Sequence, residues 1–310
     1  MRLVTFSHPS AGEAVGAVLG DAVFDLSASS GRDPAFDTML SFLQAGPKAR
    51  AKADRLLGPV TADPEPRSES QTFLHPLAAV HLHAPIPRPA KNIFCVGLNY
   101  RSHVEQNAAA LGQPFEIPDI PLFFSKPVTA VVGPGAPIVL DRQLTASLDY
   151  EVELAVVIGT GGTWIELEDA LSHVFGFTLV NDVSARDLQF RTSQFFYGKG
   201  LDSYCPMGPA ITSIDEMPPL DSVMLELLVN GDLRQSEPAG NMLFSPAMAI
   251  AELSKGITLE PGDVISLGTP GGCGYQMTPA TFLEPGDVVE CRASGIGSLT
   301  NTVSDAGTTG

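Results

Sequence analysis

Three acidic residues alternate with apolar ones in the stretch SLDYEVELAVVIG, residues 147–159. Side chains two residues apart on a β-strand point to the same side, so Asp149, Glu151 and Glu153 share one face of a predicted strand. The apolar residues that follow indicate that this strand enters the core. A bound cation would make the clustered charge tolerable, whereas the alternative is the solvent-facing side of a half-exposed strand.

A further acid, Asp182, ends another apolar run, VFGFTLVND, and is expected to join the cluster. No Cys or His lies nearby at ligand spacing, and carboxylate oxygens are the ligands that hard cations prefer. Magnesium usually keeps several waters, which leaves coordination positions for the oxygens of a substrate. The pattern therefore predicts a carboxylate site for Mg²⁺ or Mn²⁺.

His103 follows an apolar run in the segment CVGLNYRSHVEQN, so it is expected on a loop or short helix at the end of a strand. Beside a metal-bound water or an enolisable substrate, a histidine is well suited as a general base. The alternative is a structural or surface histidine. Glu105 and Gln106 follow it directly.

Two of the six lysines lie in segments shaped by Gly, Pro and aromatic residues. Lys126 precedes a proline in LFFSKP, and Lys199 lies between glycines in FFYGKG. The surface is the usual location of a lysine, but these surroundings favour contacts to a substrate carboxylate or enolate. Thr269 lies in LGTPGGCGY, a Gly-rich turn that lacks the GK[ST] sequence of a phosphate-binding loop.

Composition and charge exclude several classes of protein. The 310 residues are 44% hydrophobic and 17% charged, and the formal net charge of −17 argues against a nucleic-acid partner. No apolar run reaches the roughly 18 to 20 residues of a membrane span, and the first residues lack the pattern of a signal peptide. The four cysteines are scattered without a CxxC pair, which favours reduced thiols in a cytoplasmic protein.

The first part of the chain is predicted to be a small β-rich unit with a helix. Residues 1–30 contain short apolar runs separated by Gly, Asp and Ser, which indicates hairpins. Residues 36–57 have helical periodicity with an interruption near Gly46 and Pro47. Residues 58–71 are rich in Pro, Ser and acidic residues and are predicted to form a linker.

The remainder is dominated by short predicted strands separated by Pro and Gly. Helices are expected around residues 165–174 and 245–256, the second ending at Gly256. The hexapeptide LEPGDV occurs at 259–264 and at 283–288, where Pro-Gly predicts a type II turn that starts a strand. This pattern is β-rich α+β, without the strand–helix alternation of a doubly wound sheet.

Eight segments, in order and with suitable spacing, resemble the fumarylacetoacetate hydrolase family. They are VGLNYRSHVEQ, PLFFSKPVTAVVGP, LDYEVELAVVIG, NDVSARDLQ, GKGLDSYCPMGP, NMLFSP, LEPGDVISLGTPGG and FLEPGDVVECRASGIGSLTN. The resemblance covers roughly residues 72–303. Residues 1–71 resemble the small N-terminal domain of many members, and residues 304–310 are expected to be a flexible tail.

The resemblance implies a mixed β-roll, usually a homodimer, that binds Mg²⁺ or Mn²⁺. The implied metal ligands are Glu151, Glu153 and Asp182, whereas Asp149 matches a position that is not usually a ligand. His103 matches the histidine that activates water. The residues that match positions near the bound substrate are Lys126, Lys199, Thr269 and, in the acylpyruvase-like branch, Arg186 and Gln189.

One position departs from the family pattern. Members of the acylpyruvase-like branch often pair the histidine with a glutamate in an H-x-x-E arrangement, but residue 106 here is glutamine. Either Glu105 replaces that glutamate, or Glu116 does so from a predicted mobile lid at 107–119, or the reaction is not a hydrolysis.

The expected activity is metal-dependent hydrolysis of a C–C bond in a small 2,4-dioxo acid of the acylpyruvate type, in the cytoplasm and in aromatic catabolism. The metal would chelate the α-keto acid, while His103, with Glu105, would activate water. Lys126 and Lys199 would hold the carboxylate and stabilise the leaving enolate. The alternative is oxaloacetate decarboxylation, or isomerisation or hydration of a dienoate, at the same site. A second alternative is a non-catalytic member, and no nucleic-acid or membrane partner is expected.

Overall fold

The computed structural model describes residues 1–8, 11–62 and 72–308. Its strands are β1 (Arg2–His8), β2 (Ala11–Leu19), β3 (Ala22–Asp25), β4 (Leu74–Pro76), β5 (His81–Leu82), β6 (Ile93–Gly97), β7 (Leu122–Lys126), β8 (Val131–Val132), β9 (Ile138–Leu140), β10 (Leu148–Asp149), β11 (Val152–Ile158), β12 (Val174–Asn181), β13 (Ser184–Ala185), β14 (Cys205–Ser213), β15 (Met224–Val229), β16 (Asp232–Pro238), β17 (Val264–Ser266), β18 (Val288–Ala293) and β19 (Gly297–Asp305). Its α-helices are α1 (Leu26–Ser29), α2 (Met39–Ala45), α3 (Pro47–Ala62), α4 (Arg101–Leu111), α5 (Arg186–Gln189), α6 (Phe196–Lys199) and α7 (Pro246–Leu253).

Most of these strands form one long mixed sheet with the order β4-β3-β2-β1-β14-β12-β11-β17-β6-β7, in which β5 also pairs with β1 and β8 with β14. A second sheet has the order β16-β15-β18-β19-β9, and β10 pairs with β13 in a short ladder. Parallel pairs, such as β17 with β6 and β19 with β9, occur among mostly antiparallel ones. The predicted β-rich α+β class with mixed sheets is confirmed.

Strand β11 lies in the middle of the long sheet and carries the acidic stretch into the core. It pairs antiparallel with β12 on one side and with β17 on the other. Leu154 and Val156 pack into one hydrophobic cluster, whereas Ala155 and Val157 pack into a different one. Because both faces of this strand are buried, its sequence is an almost continuous apolar run.

The strands before residue 77 extend the same long sheet. β1 pairs with β14 through Arg2↔Thr212 and Leu3↔Ile211. The predicted helical interruption is confirmed, because α2 ends at Ala45 with Gly46, whose φ is +62, as its C-cap, and α3 begins with Pro47. Of the predicted linker, residues 58–62 continue α3 and residues 63–71 lie outside the described residues. The division at residue 71 stays a prediction.

Both LEPGDV segments form the predicted turns. Gly262 and Gly286 have φ of +94 and +97, the left-handed conformation that the third residue of a type II turn requires. The N–H of Asp263 donates to the backbone oxygen of Glu260 at 3.0 Å, and the second copy has the same hydrogen bond. At the carboxyl end, β19 extends into the predicted tail as far as Asp305, and residues 309–310 lie outside the described part of the chain.

Of the two helices predicted after residue 72, one is confirmed and one is wrong. Helix α7 begins after Ser245, which caps it by accepting from the N–H of Met248, and it ends at Leu253, before the predicted Gly256. The segment 165–174 contains only a 3₁₀ turn, Ala170–His173. Tertiary hydrogen bonds hold its start, since the N–H of Ile165 donates to Ser254 Oγ at 3.0 Å.

The state of the cysteines and the character of the helices can be compared with the predictions made from the sequence. All four cysteines are buried and free, as the absence of a CxxC pair predicted. Among the helices of the described ranges, none combines the length and the apolar character needed to cross a membrane.

Buried Asn99 joins the three chain segments that surround the candidate site. Its Nδ2 donates to the backbone oxygens of Phe244 at 3.0 Å and Leu267 at 2.7 Å, and its Oδ1 accepts from the N–H of Phe244 at 2.7 Å. Asn99→Ala leaves these buried backbone groups without partners, so we expect a loss of about 2–4 kcal/mol in the free energy of unfolding, measured by urea denaturation. Asn241→Ala, an exposed asparagine, serves as the control and should change stability by less than about 0.5 kcal/mol. Equal stability of the two variants would contradict this role for Asn99.

Candidate active site

Glu151, Glu153 and Asp182 converge where β11 and β12 meet. Asp182 directly follows β12, and its N–H donates to the backbone oxygen of Glu151 at 2.8 Å. Each side chain offers an oxygen within 4.8 Å of the other two, and all three residues are buried. Antiparallel pairing of two sequence-distant segments thus assembles a carboxylate triad.

Asp149 does not share a face with the triad, and the predicted continuous strand is wrong at this point. Asp149 ends β10, which pairs with β13, and β11 begins only at Val152. The Asp149 carboxylate accepts from the N–H of Gly274 at 2.8 Å and of Tyr275 at 3.1 Å, and lies 2.8 Å from Arg186 Nε. After this interruption Asp149 is not part of the triad, and it holds the Gly-rich turn and Arg186, whose guanidinium lies between Asp149 and Glu151, in place.

Three buried cations neutralise most of the acidic charge. Lys199 Nζ lies 2.7 Å from an oxygen of Glu151 and 2.7 Å from an oxygen of Asp182. Lys126 Nζ pairs with the other Asp182 oxygen, and Arg186 Nη2 lies 2.7 Å from Glu151 Oε1. Such partners are required, because an uncompensated charge in a low-dielectric interior is strongly destabilising.

One negative charge remains in excess, since four buried carboxylates face three cations. Among the described residues Glu153 has no ion pair, and it accepts hydrogen bonds only from Ser266 Oγ and the N–H of Gly268. Burial, and then the charges of Asp182 and Glu151, raise the pKa of Glu153 well above its ordinary value. A buried set of carboxylate oxygens in which one acid lacks a cationic partner fits a hard divalent cation.

A cavity of ≈ 340 Å³ opens onto this cluster. The predicted site residues that line it are His103, Glu151, Glu153, Arg186, Gln189, Lys199 and Thr269. Lys126 and Asp182 are fully buried and contact each other behind the cavity wall. The structure therefore brings together nine of the ten predicted residues.

The polar groups of the cavity wall are mainly hydrogen-bond donors. Gln235 Nε2 donates to Thr269 Oγ1 at 2.8 Å, which leaves the hydroxyl proton of Thr269 for a ligand. Arg186 donates to Gln189 Oε1 at 2.9 Å, which leaves the N–H groups of the Gln189 amide. Burial lowers the pKa of Lys199, but nearby carboxylates outweigh it and raise the pKa above its ordinary value, so the ammonium persists. These donors suit an anionic ligand.

His103 lies in the first turn of α4 and is buried. Its Nδ1 lies 3.1 Å from Gln276 Nε2 and 3.7 Å from Cys273 Sγ. Burial lowers the pKa of His103 to about 4, so the ring is neutral at neutral pH. Within the described part of the chain, no carboxylate is hydrogen-bonded to this ring.

The tenth predicted residue, Glu105, does not join the others. Its side chain is 51% exposed on the outer side of α4, where it pairs with the arginine one turn earlier. Glu116 is also exposed, in the irregular chain after α4. Gln106, at the position of the family glutamate, accepts from the N–H of Gly272 at 2.8 Å. The role of Glu105 as partner of His103 stays a prediction that this geometry does not support.

Sequence reasoning missed Gln276 and Cys273, the residues that contact the His103 ring. They belong to the Gly-rich turn after β17, whose sequence gave no indication of a histidine partner. Gln276 is 173 residues from His103, so only the tertiary fold brings them together. The sequence could have indicated Gln276 only as a polar residue directly after the Gly-rich turn that contains Thr269.

Residues 92–304 match the family described as fumarylacetoacetate (FAA) hydrolase C-terminal, and the chain belongs to this family. It is 47% identical over 239 residues to oxaloacetate tautomerase YisK of Bacillus subtilis, covering 77% of this chain and 78% of that protein. It is 37% identical over 308 residues to the mitochondrial oxaloacetate tautomerase Fahd2a of Rattus norvegicus, covering 98% of this chain and 91% of that protein.

Solved structures give the same family. Fumarylacetoacetate hydrolase from psychrophilic Exiguobacterium antarcticum has a TM-score of 0.79 at 35% identity, covering 98% of this chain and 100% of that chain. Maleylpyruvate hydrolase from Sphingobium sp. SYK-6, in complex with manganese (II) ion and pyruvate, has a TM-score of 0.74 at 29% identity, covering 98% and 99%. The chain is therefore a member of an enzyme family, and its named relatives match the oxaloacetate alternative better than the C–C hydrolase expected first.

If Glu151, Glu153 and Asp182 hold the cation, removal of one charge should weaken binding. We expect Glu153→Gln to reduce Mg²⁺ affinity by at least about tenfold in calorimetric titration, because one of three anionic ligands is lost. Asp149→Asn is the matched control, since it neutralises a neighbouring buried acid that is not part of the triad. The control should bind Mg²⁺ within about threefold of the parent.

Two results would contradict this assignment. Unchanged Mg²⁺ affinity in Glu153→Gln would remove Glu153 from the ligand set. A loss in Asp149→Asn as large as in Glu153→Gln would show that total charge, and not the triad, determines binding.

Proposed function

We propose that this chain is a divalent-metal-dependent enzyme that interconverts the keto and enol forms of oxaloacetate or a closely similar 2-oxo diacid. In the keto-to-enol direction, the C3 proton leaves to solvent water, a C2=C3 double bond forms, and the keto oxygen takes up a proton, so the two proton transfers balance. No water is added and no carbon–carbon bond is broken. The enolate on this path is also the species expected in the hydrolase and decarboxylase alternatives.

The observation that carries this proposal is the environment of His103. Hydrolysis needs a base that takes a proton from water, and in hydrolytic enzymes a carboxylate commonly orients that histidine. Here Nδ1 contacts an amide and a thiol, while Glu105 points outward. The cavity is thus equipped to stabilise an enolate but lacks, among the described residues, the dyad that would activate water.

The other residues of the cavity have roles that follow from their free donors. A Mg²⁺ or Mn²⁺ ion held by Glu151, Glu153 and Asp182 would supply Lewis acidity to the oxygens of a 2-oxo carboxylate. Lys199 would stabilise negative charge on the keto oxygen as the enolate develops, since its ammonium is fixed beside the triad.

The second carboxylate of the substrate is assigned to the neutral donors. Gln189 and Thr269 each keep an N–H or O–H free, as described above, and they line the same cavity as Lys199. Arg186 would contribute charge while its Asp149 and Glu151 contacts keep its position fixed. Lys126 lies behind the wall, so its role is to orient Asp182.

The relatives support the same chemistry. Two proteins named oxaloacetate tautomerase are 47% and 37% identical to this chain. The maleylpyruvate hydrolase complex with manganese and pyruvate supports a divalent ion and a 2-oxo acid in the same cavity, and it supports hydrolysis only at the level of the family. Homodimer formation, cytoplasmic location, a role in aromatic catabolism and the choice between Mg²⁺ and Mn²⁺ stay predictions.

Kinetics with the enol form test the proposal. Purified protein is mixed with enol oxaloacetate in Mg²⁺ or EDTA, and loss of the enol ultraviolet absorbance is followed while pyruvate is measured in the same samples. We expect Mg²⁺-dependent enol loss without pyruvate above the uncatalysed level, because protonation at C3 completes the reaction. Acetylpyruvate is supplied in parallel and should be hydrolysed at least about a hundredfold less efficiently in kcat/KM.

The Glu153→Gln variant is the control for metal dependence and should lose the activity. Efficient release of pyruvate and acetate from acetylpyruvate would contradict the proposal and restore the hydrolase. Pyruvate formation from oxaloacetate that equals the enol loss would instead identify a decarboxylase.

A further inference from the structure

The side-chain amide of Gln276 has one orientation that satisfies its neighbours. Its Oε1 accepts from the backbone N–H groups of Gly272 at 3.2 Å and Cys273 at 3.1 Å. Its Nε2 lies 3.3 Å from the backbone oxygen of His103 and donates to Tyr275 Oη at 3.2 Å. Backbone N–H groups only donate and a backbone oxygen only accepts, so exchanging the amide oxygen and nitrogen would place like groups against each other at both ends.

In this orientation the Nε2 amino group faces three acceptors, and His103 Nδ1 is the nearest at 3.1 Å, ahead of Tyr275 Oη at 3.2 Å and the His103 backbone oxygen at 3.3 Å. A neutral imidazole has one protonated and one unprotonated nitrogen, and the hydrogen bond at one nitrogen decides which of them carries the proton. A nitrogen that receives a donated hydrogen bond must present its lone pair. The second contact of Nδ1, Cys273 Sγ at 3.7 Å, is a thiol, which is a weak acceptor and also able to donate.

We infer that Gln276 is a positioning residue that holds the His103 ring in the tautomer with its proton on Nε2, the nitrogen left for the cavity. His103 then presents an N–H donor, and not a lone pair, to a bound substrate. This geometry is the reverse of the hydrolytic arrangement, in which a carboxylate accepts from Nδ1–H and leaves Nε2 free to take a proton.

The functional consequence rests on the proposed function. A neutral imidazole N–H can polarise a carbonyl without transferring its proton. At this site it would stabilise the keto oxygen as negative charge develops there, and it would not deprotonate water. Gln276 would thereby favour proton exchange over hydrolysis in a cavity whose other residues serve either reaction.

Two glutamines provide a matched pair of variants. Gln276 and Gln106 both accept from the N–H of Gly272 through Oε1, at 3.2 Å and 2.8 Å, but only Gln276 contacts His103 Nδ1. Gln276→Glu and Gln106→Glu each add one carboxylate next to the same backbone N–H. They differ in whether that carboxylate can accept from Nδ1.

Nitrogen-15 NMR reads the tautomer directly. The full chain is labelled at histidine and measured at neutral pH, with and without Mg²⁺. His103→Asn identifies the signals of His103 by their disappearance. We expect the parent to show an unprotonated Nδ1 and a protonated Nε2. Gln276→Glu should shift the signals to a protonated Nδ1, whereas Gln106→Glu should leave the parent pattern unchanged.

A protonated Nδ1 in the parent would overturn the inference, and this measurement needs no Gln276 variant to fold. An unchanged tautomer in folded Gln276→Glu would also overturn it, because the proton position on His103 would then not depend on the group at residue 276. Both readouts are made without substrate, so they stand or fall separately from the proposed function.

Kinetics then test the consequence. In Gln276→Glu, kcat for enol–keto conversion should fall roughly ten- to hundredfold with little change in KM, since a donor to the developing charge is lost. A merely structural role would lower the amount of folded enzyme and leave kcat per folded site unchanged. Parent-like kcat with the tautomer shifted would show that the Nε2 proton has no function in the reaction.

Discussion

The central constraint on this molecule is that seven charged side chains are placed together in its interior. Four carboxylates and three cations are almost completely buried. Each charge in the interior costs several kcal/mol unless it is paired. The segments around them supply those pairs. Lys126 comes from the end of β7, Lys199 from α6 and Arg186 from α5, so three separate segments must dock before Glu151 and Asp182 are neutralised. The β11–β12 pair therefore assembles the triad, but its charge is balanced only after β7, α5 and α6 have packed around it.

The excess charge gives this cluster its chemistry. Pairing leaves Glu153 with hydrogen-bond donors only, and the cavity above it is lined with groups that donate. A divalent cation would change the formal charge of this cluster from −1 to +1, and the proposed anionic 2-oxo acid would then meet a positive site. Membership of the fumarylacetoacetate hydrolase family agrees with this arrangement. The reaction is decided by finer features, chiefly what faces His103.

Much of the fold and site could be predicted from the sequence, for identifiable reasons. β11 is buried on both faces, so its apolar run is unambiguous, and the Pro-Gly turns before β17 and β18 require positive φ. β14 could not be predicted from its own residues, because Cys205–Ser213 contains Pro and Gly, although it pairs with β1 and β12 in the long sheet. Those residues argue against a strand locally, and only its neighbours in the sheet determine its conformation.

The interruption between β10 and β11 was missed for a related reason. Alternation predicts one strand from Asp149 onward, but that residue belongs to the β10–β13 ladder and pairs with Arg186. The partner of His103 was expected to be Glu105 or Glu116, both near it in sequence, whereas the fold supplies Gln276 from a distant turn. Motif spacing identifies which residues gather at a site but not which atom of each faces its neighbour.

Deuterium incorporation at C3 of oxaloacetate in D₂O, followed by proton NMR with catalytic enzyme and Mg²⁺, tests the central claim most directly. The account predicts rapid Mg²⁺-dependent replacement of the C3 hydrogens, while the total of oxaloacetate declines only at its uncatalysed rate. Exchange no faster than in enzyme-free buffer with the same Mg²⁺ would contradict this proposal, because the cavity would then not accelerate formation of the oxaloacetate enolate.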